Sequence, residues 1–134
     1  MINKLQRPSS SVHKAMGELI YELLHASTKV HVAHLLSTNY SAHVAMGEFY
    51  DSLVDITDGL AEQYQGKEEV LLPYPDQAAI PTIKTTDEAV KYLRSLYDKI
   101  GLVQGMVTCS SIINTMDEIK ALINSTKYKL LFLK

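Results

Sequence analysis

From Val12 to about Leu36, the apolar residues Val12, Met16, Leu19, Ile20, Leu23 and Val30, together with His34, recur at multiples and sums of three and four positions. That is the period of one face of an α-helix. Glu18, Glu22, His25 and Lys29 fall on the opposite side, so the pattern predicts an amphipathic helix with those four toward solvent. Arg7-Pro8-Ser9-Ser10-Ser11 supplies a start, because serine hydroxyls satisfy the free N–H groups of a first turn. Ser37-Thr38-Asn39-Tyr40 interrupts the period. A second helix is predicted from about Ser41 to Tyr64, with Met46, Phe49, Leu53, Ile56, Leu60 and Tyr64 as its stripe. So short a break makes the two helices antiparallel neighbours.

Gln65 to Thr85 holds Gly66, Pro73, Pro75 and Pro81 and sustains no helical period. Thr85-Thr86-Asp87-Glu88 then reads as a capping box, with Thr85 as cap and Glu88 three positions on. The third helix is predicted to about Val103, with Val90, Leu93, Leu96, Tyr97 and Ile100 inward and Gly101 and Gly105 weakening its end. The fourth is predicted from about Ser110 to Leu131, burying Ile112, Ile113, Met116, Ile119, Leu122 and Ile123. A helix the length of the second is about 36 Å long, and the segment after it can extend to roughly 70 Å. It can therefore cross the bundle lengthwise. Short, long, short is the connection pattern of an all-α, ferritin-like four-helix bundle with one long crossover between the second and third helices.

At 134 residues, the chain suits one domain spanning 1–134. Hydrophobic residues make up 46% and charged residues 21%, as in soluble globular proteins. A net charge of -2 creates no global field toward nucleic acid. Lys4 and Arg7 near the start, and Lys127, Lys129 and Lys134 near the end, read as solvated ends. DNA binding is not expected. Cys109, the single cysteine, reads as a small buried hydrophobe in a reducing compartment. No apolar run reaches the ~18–20 residues of a membrane span, and the opening residues lack a signal-peptide core. A cytoplasmic location follows as the expectation.

The candidate chemistry lies in His31, His43, Asp58 and Glu62. Imidazole with carboxylate suits iron, zinc or another first-row divalent metal. Asp58 and Glu62 are one turn apart on one helix face. At about 100° per residue, His43, Gly47, Asp51, Asp58 and Glu62 fall within roughly 100° of one another. That band borders the apolar stripe, where a second chain could pack and where buried carboxylates would require a metal or a cation. His34 falls inside the first helix's stripe and reads as a hydrogen-bonded core residue, and His25 as solvated. The acids lie more than about 16 Å from His43 along the axis. One chain does not bring all four to one ion; two antiparallel chains do. The intrachain di-iron alternative needs a Glu-x-x-His pair on each of two helices. Only Glu22-Leu23-Leu24-His25 fits, on the polar face.

These residues resemble the Dps family, the mini-ferritins of starved bacteria. The likeness runs through HVAHLLSTNYSAHVAMGEFYDSLVDITDGLAEQ, from His31 to just past Glu62. His31, His43 twelve positions later, Glu48-Phe49-Tyr50 and Asp58-Gly59-Leu60-Ala61-Glu62 take the places of that family's motif without insertion. The ending TKYKLLFLK loosely resembles its last helix. The resemblance implies a ferroxidase centre shared between subunits, with His31 and His43 from one and Asp58 and Glu62 from the other. It also implies Fe(II) oxidation, iron storage and a homo-oligomer, up to a twelve-subunit shell. The chain departs from the pattern at Gly47, where the family has an aspartate, and at Val32, where it has an aromatic residue. The missing carboxylate bears on a second, weaker iron position, for which Asp51 and His34 are the candidate substitutes. The chain also looks similar to small ferritin-like proteins of large tailed phages. The alternative function is a non-catalytic oligomeric bundle with a degenerate metal site, where zinc or another ion would be structural.

Overall fold

A computed structural model describes residues 10–76, 79 and 81–134. Lys4, Arg7 and the first part of the predicted helix start lie outside the described residues, as do three positions of the long connection. Four helices form among the described residues: α1 (Ser10–Leu36), α2 (Tyr40–Glu68), α3 (Thr86–Gln104) and α4 (Ser110–Phe132). The chain is an all-α four-helix bundle.

Hydrogen bonds at the two ends set the helix directions. His13, near the start of α1, shares a 2.8 Å bond with the Tyr64 hydroxyl, near the end of α2, so α1 and α2 are antiparallel. On α4, the Thr115 hydroxyl donates to Gln63 near the end of α2 (3.1 Å). Further along α4, Lys129 donates to Glu48 near the start of α2 (2.9 Å). These two helices are antiparallel as well. Gln104, the last residue of α3, donates to the Ile113 carbonyl and to Asp117 on α4. The start of α3 shares a cleft with the α1–α2 turn, where Thr85 and Thr86 face Ala33, Ser37 and Asn39. Helices α2 and α3 therefore begin at the same end and run parallel, and the chain between them returns the length of the bundle.

That return is anchored at both ends by burial. Leu72 and Ile83 are almost fully buried. Gln65 holds the first stretch, its side-chain oxygen accepting from the Leu72 N–H (3.0 Å) and the Tyr74 hydroxyl (2.9 Å). Pro73 then passes directly over α1 at Gly17, where a Cβ would stand 2.9 Å from the Pro73 carbonyl oxygen. Helix α2 extends one turn beyond the expected Tyr64. Gly66 costs an interior turn only about 1 kcal/mol. The helix stops where Glu69 takes a left-handed backbone (φ 53) and its N–H returns to the Gln65 carbonyl, satisfying an otherwise free helix-end acceptor.

The other end signals are local. Asn39 caps α2 through the Ala42 N–H, and Thr85 caps α3 through the Glu88 N–H. The Glu88 carboxylate in turn accepts from the Lys84 N–H rather than from that of the cap residue. The core includes Met16, Ile20, Leu23, Phe49, Leu53, Leu60, Tyr64, Leu93, Leu96, Ile100, Met116, Ile119 and Ile123. Ile113 and Leu122, predicted inward, are only half-buried.

The expected polar side of α1 needs correction. Lys29 is buried, its ammonium 4.6 Å from the centroid of the Tyr92 ring and 3.6 Å from Glu22. The Tyr92 hydroxyl donates to the same carboxylate (2.8 Å). Each helix here has two neighbours, so α1 turns its stripe toward α2 and α4's side of the core and its Glu22–Lys29 edge toward α3. His25 is not simply solvated either. It is half-buried, with its ring N–H donating to the Tyr21 carbonyl (2.8 Å). Cys109 is half-buried rather than buried. It occupies the position before α4, where a hydrogen bond with Ser111, and then the Ile112 backbone, lower its thiol pKa.

Two tyrosines tie the fold to the neutral phenol. Burial, then the Glu68 charge, push Tyr64 up to about 12. Burial, followed by the Glu22 hydrogen bond and charge, raises Tyr92. A folded pKa above the unfolded value of ~10 contributes stability below that pH and loses it as pH rises toward the folded value. The denaturation midpoint should hold up to pH 10 and fall between pH 10 and 12. Tyr64→Phe should flatten part of that fall, and an identical profile in the variant would exclude Tyr64 as its source.

Candidate metal centre

The end of α1 and the start of α2 bring His31, His34, His43 and Tyr50 together. The His31 ring, exposed to solvent, stacks on Tyr50 with centroids 4.0 Å apart and planes 14° apart. The His34 ring stacks on His43 at 3.7 Å and 15°, and meets Tyr50 edge-on at 5.4 Å. His34 and His43 also exchange hydrogen bonds. The His34 Nδ1–H donates to the His43 carbonyl (2.5 Å), and the His43 Nδ1–H to the His34 carbonyl (2.8 Å). The second bond strengthens the satisfaction of a carbonyl in the last turn of α1 that otherwise accepts only a long turn bond from the Ser37 N–H (3.4 Å).

A carbonyl oxygen only accepts, so each of these rings carries its proton on Nδ1. In the neutral imidazole, Nε2 then keeps its lone pair. An imidazole whose other N–H is anchored on a backbone carbonyl is the usual support of a metal ligand. His43 fits that role. His34 does not join it on the same ion: the two rings lie in nearly parallel planes with centroids 3.7 Å apart, and lone pairs confined to those separate planes do not meet at one point. As expected of a residue in the stripe, His34 is a hydrogen-bonded packing residue.

Gly47 has a physical explanation in the same ring. A Cβ at position 47 would lie 3.0 Å from His34 Cε1 and 3.1 Å from His34 Nδ1. The imidazole fills the space that a side chain would need, and its bonds hold it there. A glycine within a long helix carries a propensity cost of about 1 kcal/mol, a usable signal of close approach. Which group approaches depends on the α1–α2 register, which sequence alone did not supply.

Asp51, Asp58 and Glu62 are all exposed. None makes a hydrogen bond or ion pair among the described residues. The expectation that burial would force a counter-ion on these acids therefore does not hold for a single chain, where water solvates them. Asp58 and Glu62 lie 15 and 19 positions after His43, about 22 and 28 Å along α2. The structure thus places the two histidines at one end of the α1–α2 pair and the two acids toward the other. Among the described residues of one chain, no three of His, Cys, Asp and Glu gather as a metal-holding group.

The face between these ends is partly apolar. The Ser27 hydroxyl donates to the Tyr50 carbonyl, a register that sets Leu24 level with Val54. They are 38% and 37% exposed, midway between the histidines and the acids. No helix among the described residues is long and apolar enough to cross a membrane.

Compared with known proteins, residues 34–130 match the model of a family described as a family of unknown function (DUF5856). No curated protein and no solved structure matches the chain.

Proposed function

Taking as premise that the chain belongs to DUF5856, we propose that it is a ferritin-like, Dps-like metal-binding protein that holds a divalent transition ion, Fe(II) foremost, between two copies. The observation that carries this reading is the anchored His43 ring, whose Nε2 lone pair is left for a ligand, on the same outer face as two unpaired acids. Two copies packed antiparallel through α1 and α2 exchange their ends. His31 and His43 of one then meet Asp58 and Glu62 of the other. Leu24 and Val54 would supply the apolar centre of that contact, where burial stabilises association.

The donor set fits a first-row ion. His31, Asp58 and Glu62 would hold the ion, with His43 on an adjacent weaker position, and the two carboxylate charges favour Fe(III) over Fe(II). Bound iron would be oxidisable cargo, with peroxide or oxygen as the acceptor. The second reading, a non-catalytic bundle with a structural ion, is favoured by Gly47, since the His34 ring occupies the room a further carboxylate would need.

Anaerobic Fe(II) titration followed by peroxide separates these readings, combined with mass measurement of the assembly. Saturable binding to a dimer or larger assembly, then accelerated oxidation, supports the iron-oxidising protein. Saturable binding without acceleration supports the structural-ion reading. A monomer that binds neither Fe(II) nor Zn(II) overturns both.

A further inference from the structure

We propose that a groove between α1 and α3 binds an organic amine, its apolar body against Leu19, Val103 and Met106 and its ammonium at Glu18 and Glu22. The site is separate from the shared metal centre, and one chain alone brings its residues together. The groove holds about 390 Å³, at the small end of the range of small-molecule sites. Chemistry divides it into two parts. Leu19 and Val103 are buried beneath it, whereas Leu102 and Met106, four positions apart, are 72% and 50% exposed along it. Open apolar side chains beside a buried apolar floor favour a ligand that takes them out of water.

The polar part carries an excess of negative charge. Of the charged described residues that line the groove, Glu18 and Glu22 are acids and Lys99 is a base. The Glu22 carboxylate is held in place. Its Oε1 accepts from the Tyr92 hydroxyl (2.8 Å) and lies 3.6 Å from the ammonium groups of Lys29 and Lys99. These contacts share one oxygen, and a carboxylate has a second with lone pairs of its own. Lys29 is buried over the Tyr92 ring, while the Lys99 side chain is half-exposed at the rim. The groove also lies against the last turn of α3, where the helix end favours a cation and no basic residue supplies one. A primary ammonium suits both acids and the helix end. A carboxylate would be repelled by all three.

The probe is n-octylamine, with n-octanoate and n-octanol as matched chains of opposite and zero charge. Full-length protein with ¹³C-methyl methionine is titrated with each, followed by NMR and by isothermal titration. Met16, Met46 and Met116 are almost fully buried, so Met106 is the reporter, its signal assigned through Met106→Leu. Saturable octylamine binding that shifts the Met106 signal is expected, at least about tenfold tighter than octanoate, as for a charge-assisted contact. Glu18→Lys, at an exposed position, should weaken octylamine about threefold and strengthen octanoate, with far-UV circular dichroism unchanged. Glu22→Gln should weaken octylamine about tenfold. Because Glu22 also pairs with the buried Lys29, Glu18→Lys carries the test if that variant loses its fold. Equal affinity for octylamine and octanol, or tighter binding of octanoate, would overturn the assignment. So would saturable binding that leaves Met106 unmoved, or no binding at all. A Met106 signal that shifts with protein concentration alone would show a second copy covering the groove, and would overturn it too.

Discussion

Gly17→Leu is expected to lower the stability of the bundle by about 2–4 kcal/mol, combining overpacking with exposure of the displaced connection. The physical reason is the passage of Pro73 over α1. A Cβ at Gly17 meets a backbone carbonyl oxygen at 2.9 Å, and a peptide group cannot rotate away as a side chain end can. Either α1 shifts or the connection lifts, and lifting it exposes Leu72, now 5% accessible. Urea denaturation followed by circular dichroism measures the loss. Gly59→Ala supplies the opposite sign. Nothing lies within 4 Å of the Cβ position there, and Gly59 is inside α2, so alanine should add up to about 1 kcal/mol. Equal and small effects at both positions would mean that the connection does not press on α1.

Glu62→Gln is expected to weaken Fe(II) or Zn(II) binding by at least about tenfold, the low end of what even supporting residues of metal sites contribute. It should leave the fold's stability within about 0.5 kcal/mol, as for surface substitutions without a partner. The separation of the two effects is what makes the test sharp. Glu62 is exposed and unpaired among the described residues, so its loss has no route to the core. Asp55→Asn is the control, an exposed acid on α2 outside the ligand band. Isothermal titration of chelator-treated protein measures both. Unchanged affinity in Glu62→Gln would remove that residue from the ligand set, and equal losses in the two variants would point to net charge instead.

Much of this architecture is legible in the sequence because helical period, caps and connection length are local or additive signals. Thr85 marks the start of α3 through a bond three positions on, whereas the end of α2 was not legible, because the left-handed turn that stops it falls on Glu69, not on a glycine. The lengthwise return follows from how much chain separates two helices of known reach. Lys29 was not legible in this way. A single hydrophobic stripe describes a helix with one neighbour, whereas α1 has α2 on one side and α3 on another. The lysine is accommodated by Tyr92 and Glu22, and Tyr92 lies more than sixty positions away. The site divides similarly. Its spacing along α2 is readable, as is the failure of four residues to converge in one chain. The His34–Gly47 contact is not, because a rotation of α1 by one residue would send that ring elsewhere.

The long connection also makes the molecule two halves on one thread. Helices α1 and α2 form one antiparallel pair, and α3 and α4 the other, each with an apolar face covered mainly by its counterpart and, at two points, by Leu72 and Ile83 of the connection. The thread passes across the surface and brings no helix into the core. Severing it should therefore leave two peptides, 1–76 and 77–134, that recover helicity when mixed and stay largely unfolded apart. Joined, they confer a different property: at high concentration, one molecule's first pair can accept another's second, so refolding yield should fall as protein concentration rises.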